Sequence, residues 1–558
     1  MTSVREKIQQ QRKELNKQIF KSYKTYQGAE NLVRACDSKE LREKAVLELS
    51  YIQSQWATLR EKLHELNSNI ESYQNQEGNQ MTFTMLAVGL KESVAFDSST
   101  RMRFEELIME HYGENPKDFE KELDEYFALR TQTLNPPRTE SGLKVLKEYF
   151  NHLFYIECRF FKSEFRSNGI HFSWFDCLAG TLHTQFSIDF EKAAVLFNMG
   201  ALHSQIATKQ DRSTFDGAEE ALKHFQMAAG VFKYLGKFFI NTPCPDLSEK
   251  CQEVLELLML AQAQECLFER IALNESEENS NNGKLLEYLM SVVHGYQKLE
   301  ALMKLNTDVP QAWSLLVSAK YSHYTALAHF YASKVALSMQ FFPDEIYDQY
   351  IETETKAKNV ARAYIDISLE KHNDATRKIK SNRHLKHIDS LVEILQHTKE
   401  RSEKLEETLP DKNDDLSIEF LDINPIIVNG SKAVTEIEPD FESDDCDDFF
   451  ARLGPPNIFN AKNVWTMTAK TVLERASNSV SFGFTVRGNV PVMVEKVDSG
   501  GIAEKAGLRG GEILVKINDI DVKWALHKEV VALIKSAQNS VTLYTVSLVS
   551  EESKFMTL

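Results

Sequence analysis

From about Phe83 to Glu407 the chain carries long amphipathic helical patterns and little else, which commits more than half of its 558 residues to an all-helical body. A representative stretch runs from Phe190 to Ala207. Small residues there (Ala193, Ala194, Gly200, Ala201) alternate with large ones (Leu196, Phe197, Leu202), so neighbouring helices can approach closely. A chain this long exceeds what one core supports, and the usual domain size suggests three or four domains.

The N-terminal segment is helical in a different way. Leu49, Ile52, Trp56, Leu59, Leu63, Leu66 and Ile70 recur at intervals of three and four without a miss, an a/d seam. Upstream, Ile8, Leu15, Ile19, Tyr23 and Tyr26 form a second stripe, and Asp37 or Ser38 offers an N-cap for a helix beginning near Lys39. Two such helices on a short connection fold back as an antiparallel hairpin; a homodimeric coiled coil is the competing account.

The C-terminal segment carries the most specific chemistry. In Ser481-Phe482-Gly483-Phe484 consecutive backbone N–H groups can line one concavity and bind an anion without a cationic side chain. Gly483 permits the turn. Phe484 to Arg487 alternates as a strand does, and its edge can accept a peptide as one more strand. A turn at Gly510-Gly511 feeds another strand. From His527 to Ala537 a short helix places Val531 and Ile534 on one face with His527. A plain hairpin turn beside an ordinary exposed histidine is the bland alternative.

Between these regions, Pro410 to Phe450 holds acidic residues in large excess over Lys412 and Lys432, including Asp444-Asp445-Cys446-Asp447-Asp448, and reads as a self-repelling flexible linker. The net charge of −17 argues against nucleic-acid binding. Residues 1–75 run the other way, with 13 Lys/Arg against 10 Asp/Glu. No run approaches the ~18 apolar residues of a membrane span, and the first residues are polar. The seven cysteines are scattered without a C-x-x-C pair, which fits reduced thiols in the cytosol. No nucleotide-binding, zinc-protease or serine-hydrolase motif is present. His323 and His329 lie beside Tyr324 and Tyr331 with no acidic or cysteine residue at ligand spacing, so helix packing explains them better than a metal. No enzyme activity, cofactor or metal is expected.

Four resemblances follow from these residues. Residues 468–549 resemble a PDZ domain. That resemblance implies that His527 hydrogen-bonds a Ser or Thr two places before a ligand's last residue, and that Phe482, Phe484, Val531 and Ile534 line the pocket for its terminal apolar side chain. It also implies a water-mediated carboxylate contact from Arg475. Gln27-Gly28-Ala29-Glu30-Asn31-Leu32 resembles the homology-region coiled coil of Rho effectors such as protein kinase N. GTP-bound Rho-type GTPases are the implied partners, and Lys17, Lys21, Lys24, Asn31 and Arg34 the candidate contacts; a solvated helix face competes for each of these. The central body is similar to the Bro domain of ALIX-type endosomal proteins. Phe172-Ser173-Trp174-Phe175-Asp176, Lys223-His224-Phe225-Gln226, Ala229-Gly230-Val231-Phe232 and Met259-Leu260-Ala261-Gln262-Ala263-Gln264-Glu265 carry the likeness. In that family a groove receives an ESCRT-III helix, and its positions fall on Leu267, Arg270, Leu285 and Leu289. Two departures stand out, Glu219 where the groove often has lysine and a polar insertion from Asn274 to Asn282.

The order coiled coil, Bro domain, PDZ domain resembles the rhophilin family, most of all its rhophilin-2 type. Phe449 to Pro455 with Asn463 and Trp465 resembles its pre-PDZ segment. The expected division is 1–75 coiled coil, 80–408 Bro domain, 409–467 acidic linker, 468–549 PDZ domain and 550–558 tail. The expected fold is mainly α, with an N-terminal antiparallel hairpin, an all-helical body with a helical-repeat-like core, and a small β-rich barrel with two helices. The resemblance implies a non-enzymatic effector that affects actin organisation, in the cytoplasm with perinuclear or endosomal association. An endosomal sorting adaptor that binds ESCRT-III tails is the alternative.

Overall fold

The computed structural model describes residues 4–35, 39–67, 82–161, 169–239, 244–274, 281–306, 309–338, 354–410, 433–441, 446–477 and 479–549. Ile70 of the seam, the Asp37–Ser38 cap and Asp444–Asp445 fall outside them.

Helices α1 (Val4–Ala35) and α2 (Lys39–Asn67) form the expected antiparallel hairpin. Tyr26 stacks on Trp56 with ring centroids 6.1 Å apart. Ile52 and Leu63 are buried, and Leu49, Trp56, Leu59 and Leu66 are half-buried, as an a/d seam requires. The seam also has a polar stretch. Arg12 and Asn16 are about 2 % exposed because the root of the hairpin packs on the helical body. The Arg12 guanidinium lies where a Cβ on Gly89 would be, and Asn16, Ile19 and Leu63 crowd Gly180. Gln9 donates to Glu92 at 2.7 Å, and Phe20 meets the Phe175 ring edge-on at 6.4 Å.

The body is built from α3 (Ser98–Tyr112), α4 (Glu120–Thr133), α5 (Glu140–Phe160), α6 (Ile188–Ala207), α7 (Phe215–Phe238), α8 (Glu249–Leu273), α9 (Asn282–Leu305), α10 (Gln311–Leu337), α11 (Glu354–Ser381) and α12 (Asp389–Glu406). From α4 onward each packs chiefly on its neighbours in sequence, as short connections favour. A two-stranded ribbon, β1 (Phe172–Phe175) and β2 (Leu182–Gln185), interrupts the series. Helix α6 is buried on nearly all sides, which its small–large alternation requires. Gly200 admits the Phe232 ring to within 2.9 Å of where a Cβ would sit.

Extended chain crosses this body in two places, its backbone held by side-chain amides. Over 86–91, Leu86 exchanges hydrogen bonds with Gln262 (2.6 and 3.0 Å), Val88 accepts from Gln205 and donates to Ser204, and Lys91 exchanges with Asn198. Over 433–441, Val434 N–H donates to Gln264, Gln226 donates to the Thr435 carbonyl, and Ile437 N–H donates to the Gln226 carbonyl. Phe441 closes that strap against Phe150 and Tyr234.

The described parts of the acidic linker therefore depart from the sequence expectation. Residues 433–441 and 446–467 pack on the body. Arg159 bonds Asp448 through Nε (3.0 Å) and Nη2 (2.5 Å), while Phe450, Leu453 and Phe459 are buried in the core. Charge count pointed to flexibility, but apolar anchors and one buried ion pair outweigh self-repulsion here.

The C-terminal sheet has the order β3 (Ala469–Glu474), β8 (Ser540–Val546), β6 (Ile513–Ile517), β5 (Met493–Val497), β4 (Phe484–Arg487), with β7 (Ile520–Asp521) beside β6. Two helices complete it, α13 (Ile502–Lys505) and α14 (His527–Ser536). It docks on the body: Lys523, 3 % exposed in its side chain, pairs with Glu114 at 2.7 Å, Trp524 donates to the Ala451 carbonyl at 2.6 Å, and Ile513, Val515 and Val546 join the body's core.

The buried imidazoles of His329 and His372 lend themselves to a pH test. Neither ring nitrogen of His372 has a hydrogen-bond partner, and burial pushes both pKa values down to about 4. Below pH 6.5 the unfolded chain binds protons that the folded one refuses, so their neutral state contributes stability above 6.5 that is lost as pH falls toward 4. Replacing either histidine by phenylalanine is expected to cost stability at pH 7.5 and to recover about 2–3 kcal/mol relative to wild type by pH 4. Denaturant midpoints across that range measure the crossover; parallel curves would refute it.

Candidate functional site

The C-terminal groove lies between the sheet edge and α14. Among the described residues strand β4 is an end strand that pairs only with β5 and contacts α14, which leaves its outer edge open to a further strand. Gly483 adopts φ +79°, a conformation that favours glycine. The carbonyls of Phe482 and Gly483 accept from the N–H groups of Ala503 and Asp498, at 3.1 and 2.9 Å. Because the peptides are trans, the N–H groups of Gly483 and Phe484 face the other way, and that of Gly483 reaches Ser481 Oγ at 3.1 Å.

Helix α14 is fixed at its start by His527 N–H donating to Asn489 Oδ1 (2.8 Å) and by Leu526 N–H donating to Glu529 (2.7 Å). Val530 anchors its inner face in the domain core. His527, Val531 and Ile534 stay half-buried along the side, as does Phe484 across the groove. Phe482 is buried beneath the loop. The Arg475 guanidinium stacks over that ring at 4.2 Å and donates to the carbonyls of Val480, Ala537 and Gln538. Arg475 thus braces the loop against the end of α14, a supporting role that its residue type alone did not reveal.

The hairpin residues Lys17, Lys21, Lys24, Asn31 and Arg34 are all exposed. Lys17, Lys21, Lys24 and Asn31 share one exposed stripe of α1, with Lys24 Nζ over the Phe20 ring at 4.5 Å, and Arg34 pairs with Glu30.

The four body positions behave otherwise. Leu289 is fully buried and Leu285 is 3 % exposed, both in the hydrophobic core. Leu267 packs against that core, and Arg270 is bound to Glu219. The i, i+4 leucine pair faces inward, so it offers no anchor to a partner helix in this conformation, and the arginine already has a partner in the acid that departs from the family groove.

One buried cluster has the donor types of a metal centre. Asp176, Cys244 and Asp246 bring ligand atoms within 4.8 Å of one another. A cation already occupies the spot: Lys91 Nζ lies 2.5 Å from Asp246 and 3.5 Å from Cys244. Burial works against the ammonium, but Asp246 and its neighbours outweigh that and hold its pKa above the usual lysine value, while burial pushes Asp176 up to about 6. The lysine serves as the counter-ion and the cluster is structural.

Comparison with known proteins agrees with this architecture. Residues 85–473 match the BRO1-like domain family and residues 470–546 the PDZ domain family. The BRO1 match takes in residues 433–441 and the belt of residues 446–467, both of which pack on the body. Rhophilin-2 of Bos taurus is 34 % identical over 98 % of this chain and 82 % of its own length; rhophilin-1 of Mus musculus is 34 % identical over 97 % and 84 %. Among solved structures, an ALIX BRO1–CHMP4C complex aligns with 66 % of this chain and 99 % of its own, with a TM-score of 0.51 at 21 % identity, which shows a shared fold. Among the described residues no helix is long and apolar enough to cross a membrane.

Proposed function

The chain belongs to the rhophilin family, and from that premise we propose that it is a scaffold whose N-terminal hairpin docks on a GTP-loaded Rho-type GTPase while its C-terminal groove holds the end of a second protein. The BRO1 and PDZ domains are non-catalytic, so its output is the bringing together of partners, with actin organisation as the process affected. The observation that carries this reading is the open groove. An unpaired β4 edge, a φ-positive glycine loop and an imidazole at the start of α14 converge where a carboxyl terminus would lie.

Calorimetric titration of the full chain with a Rho-type GTPase, loaded first with a non-hydrolysable GTP analogue and then with GDP, tests the first half. Equal affinity for the two states would sink it. For the second half, His527→Ala is expected to weaken a peptide ending in Ser/Thr-x-Φ by about 0.5–1.5 kcal/mol, roughly two- to tenfold. A peptide with Ala in place of that Ser or Thr should not register the substitution; if both peptides weaken equally, His527 does not read the hydroxyl.

The endosomal alternative would need contacts other than Leu285 and Leu289. An ESCRT-III helix that bound this body without moving them would have to use a different face.

A further inference from the structure

The hairpin divides into two unlike halves. Its root is docked, with Ile8, Arg12, Asn16, Ile19 and Leu63 all buried. Toward its tip the outer side carries large exposed apolar side chains. Leu47 is 71 % and Tyr51 66 % exposed, an i, i+4 pair on one face of α2. Leu47 stands two positions after the buried Ala45 and before the seam residue Leu49, on the outer side of α2, and Tyr51 flanks the seam beside Ile52. Leu32, 53 % exposed, lies on α1 at about the same height, given the register set by the Tyr26–Trp56 stack.

We infer that Leu47 and Tyr51 form the apolar anchor on which the GTPase docks, and that the α1 lysines steer its approach. This rests on the GTPase reading above. Paired exposed apolar side chains mark a contact surface better than scattered ones do, and tyrosine is a preferred anchor at interface centres. The occupant follows from charge. Helix α1 carries eight Lys/Arg against three Asp/Glu while α2 is balanced, and Lys17, Lys21 and Lys24 stand exposed on α1. A second copy of the hairpin would bring like charges together, whereas an acidic partner meets complementary ones. Exposed lysines act mainly on association rate and lose effect in salt, while a desolvated apolar pair acts on dissociation.

Association and dissociation rates of the full chain with the GTP-analogue-loaded GTPase, at low and high salt, separate the two roles. Leu47→Ala/Tyr51→Ala is expected to raise the dissociation rate about 30-fold or more, with association within about threefold of wild type. Lys17→Glu/Lys21→Glu should slow association several-fold at low salt, little at high salt, and leave dissociation nearly unchanged. All four side chains are exposed, so melting temperatures should match wild type. A wild type that binds, with dissociation governed by the lysines and indifferent to Leu47 and Tyr51, overturns the inference but keeps the GTPase reading. A wild type that binds in neither nucleotide state overturns both. Sedimentation showing that Leu47→Ala/Tyr51→Ala abolishes self-association while GTPase binding persists would make the face a contact between copies and overturn the inference.

Discussion

Arg159→Ala is expected to destabilise the protein by about 3–5 kcal/mol, the usual cost of removing one partner of a buried ion pair. The guanidinium is fully buried and makes two contacts to Asp448 and one to the Phe459 carbonyl, so its loss strands a carboxylate whose side chain is only 8 % exposed. The damage should concentrate in residues 446–467. Limited proteolysis ought to cut this belt in the variant and spare it in the wild type, with chemical denaturation giving the magnitude. Arg159→Met/Asp448→Leu, which removes both charges, should recover a large part of the loss. A variant as stable and protease-resistant as wild type would mean that the belt is not held by this pair.

Gly230→Ala provides a test whose sign decides it. In an ordinary helix interior this change stabilises by up to about 1 kcal/mol. Here the new Cβ would lie 1.9 Å from the Ile437 carbonyl oxygen, a backbone atom of the strap, so the strap or the helix must move. Overpacking of this kind costs about 1–3 kcal/mol. The expected outcome is net destabilisation with loss of hydrogen-exchange protection at Ile437, whose N–H bonds the Gln226 carbonyl, while the amides of α7 stay protected. Stabilisation would show that the strap is not seated against Gly230.

How far the sequence could be read depended on whether a residue's role leaves a period. The seam from Leu49 to Leu66 was legible because coiled-coil packing repeats every seven residues, and the burial of α2 follows it position by position. Arg12 and Asn16 were not, since they sit where apolar residues belong for a tertiary reason, the docking of the hairpin root. Ala261-Gln262-Ala263-Gln264-Glu265 was legible as a family marker but silent on its task. Gln262 holds the backbone of Leu86, Gln264 holds that of Val434, and Glu265 accepts from Lys320 at 2.8 Å. Captured extended segments have no periodicity of their own, and so Phe441, Phe450 and Trp465 were outvoted by the surrounding carboxylates. The leucine pair Leu285/Leu289 shows the converse. An i, i+4 apolar pair has one signature whether it faces a groove or the core, and only the packing of α9 decides. In the C-terminal groove the loop, edge strand and helix were readable because each needs particular residue types at particular places.

The docking of the C-terminal domain through Lys523, Trp524 and the sheet residues Ile513, Val515 and Val546 changes what bivalency can accomplish. Two modules on a slack tether raise each other's effective concentration over a broad range of spacings. Modules seated on one body do so for a narrow range, and very strongly within it. On the proposed function a cargo at β4 and a GTPase at the hairpin would stand at a set separation and angle, so their co-capture should depend on whether the cargo's own span matches that distance. In this sense the packed belt is a measuring rod: lengthening it should cost avidity for a matched pair while leaving each separate affinity untouched.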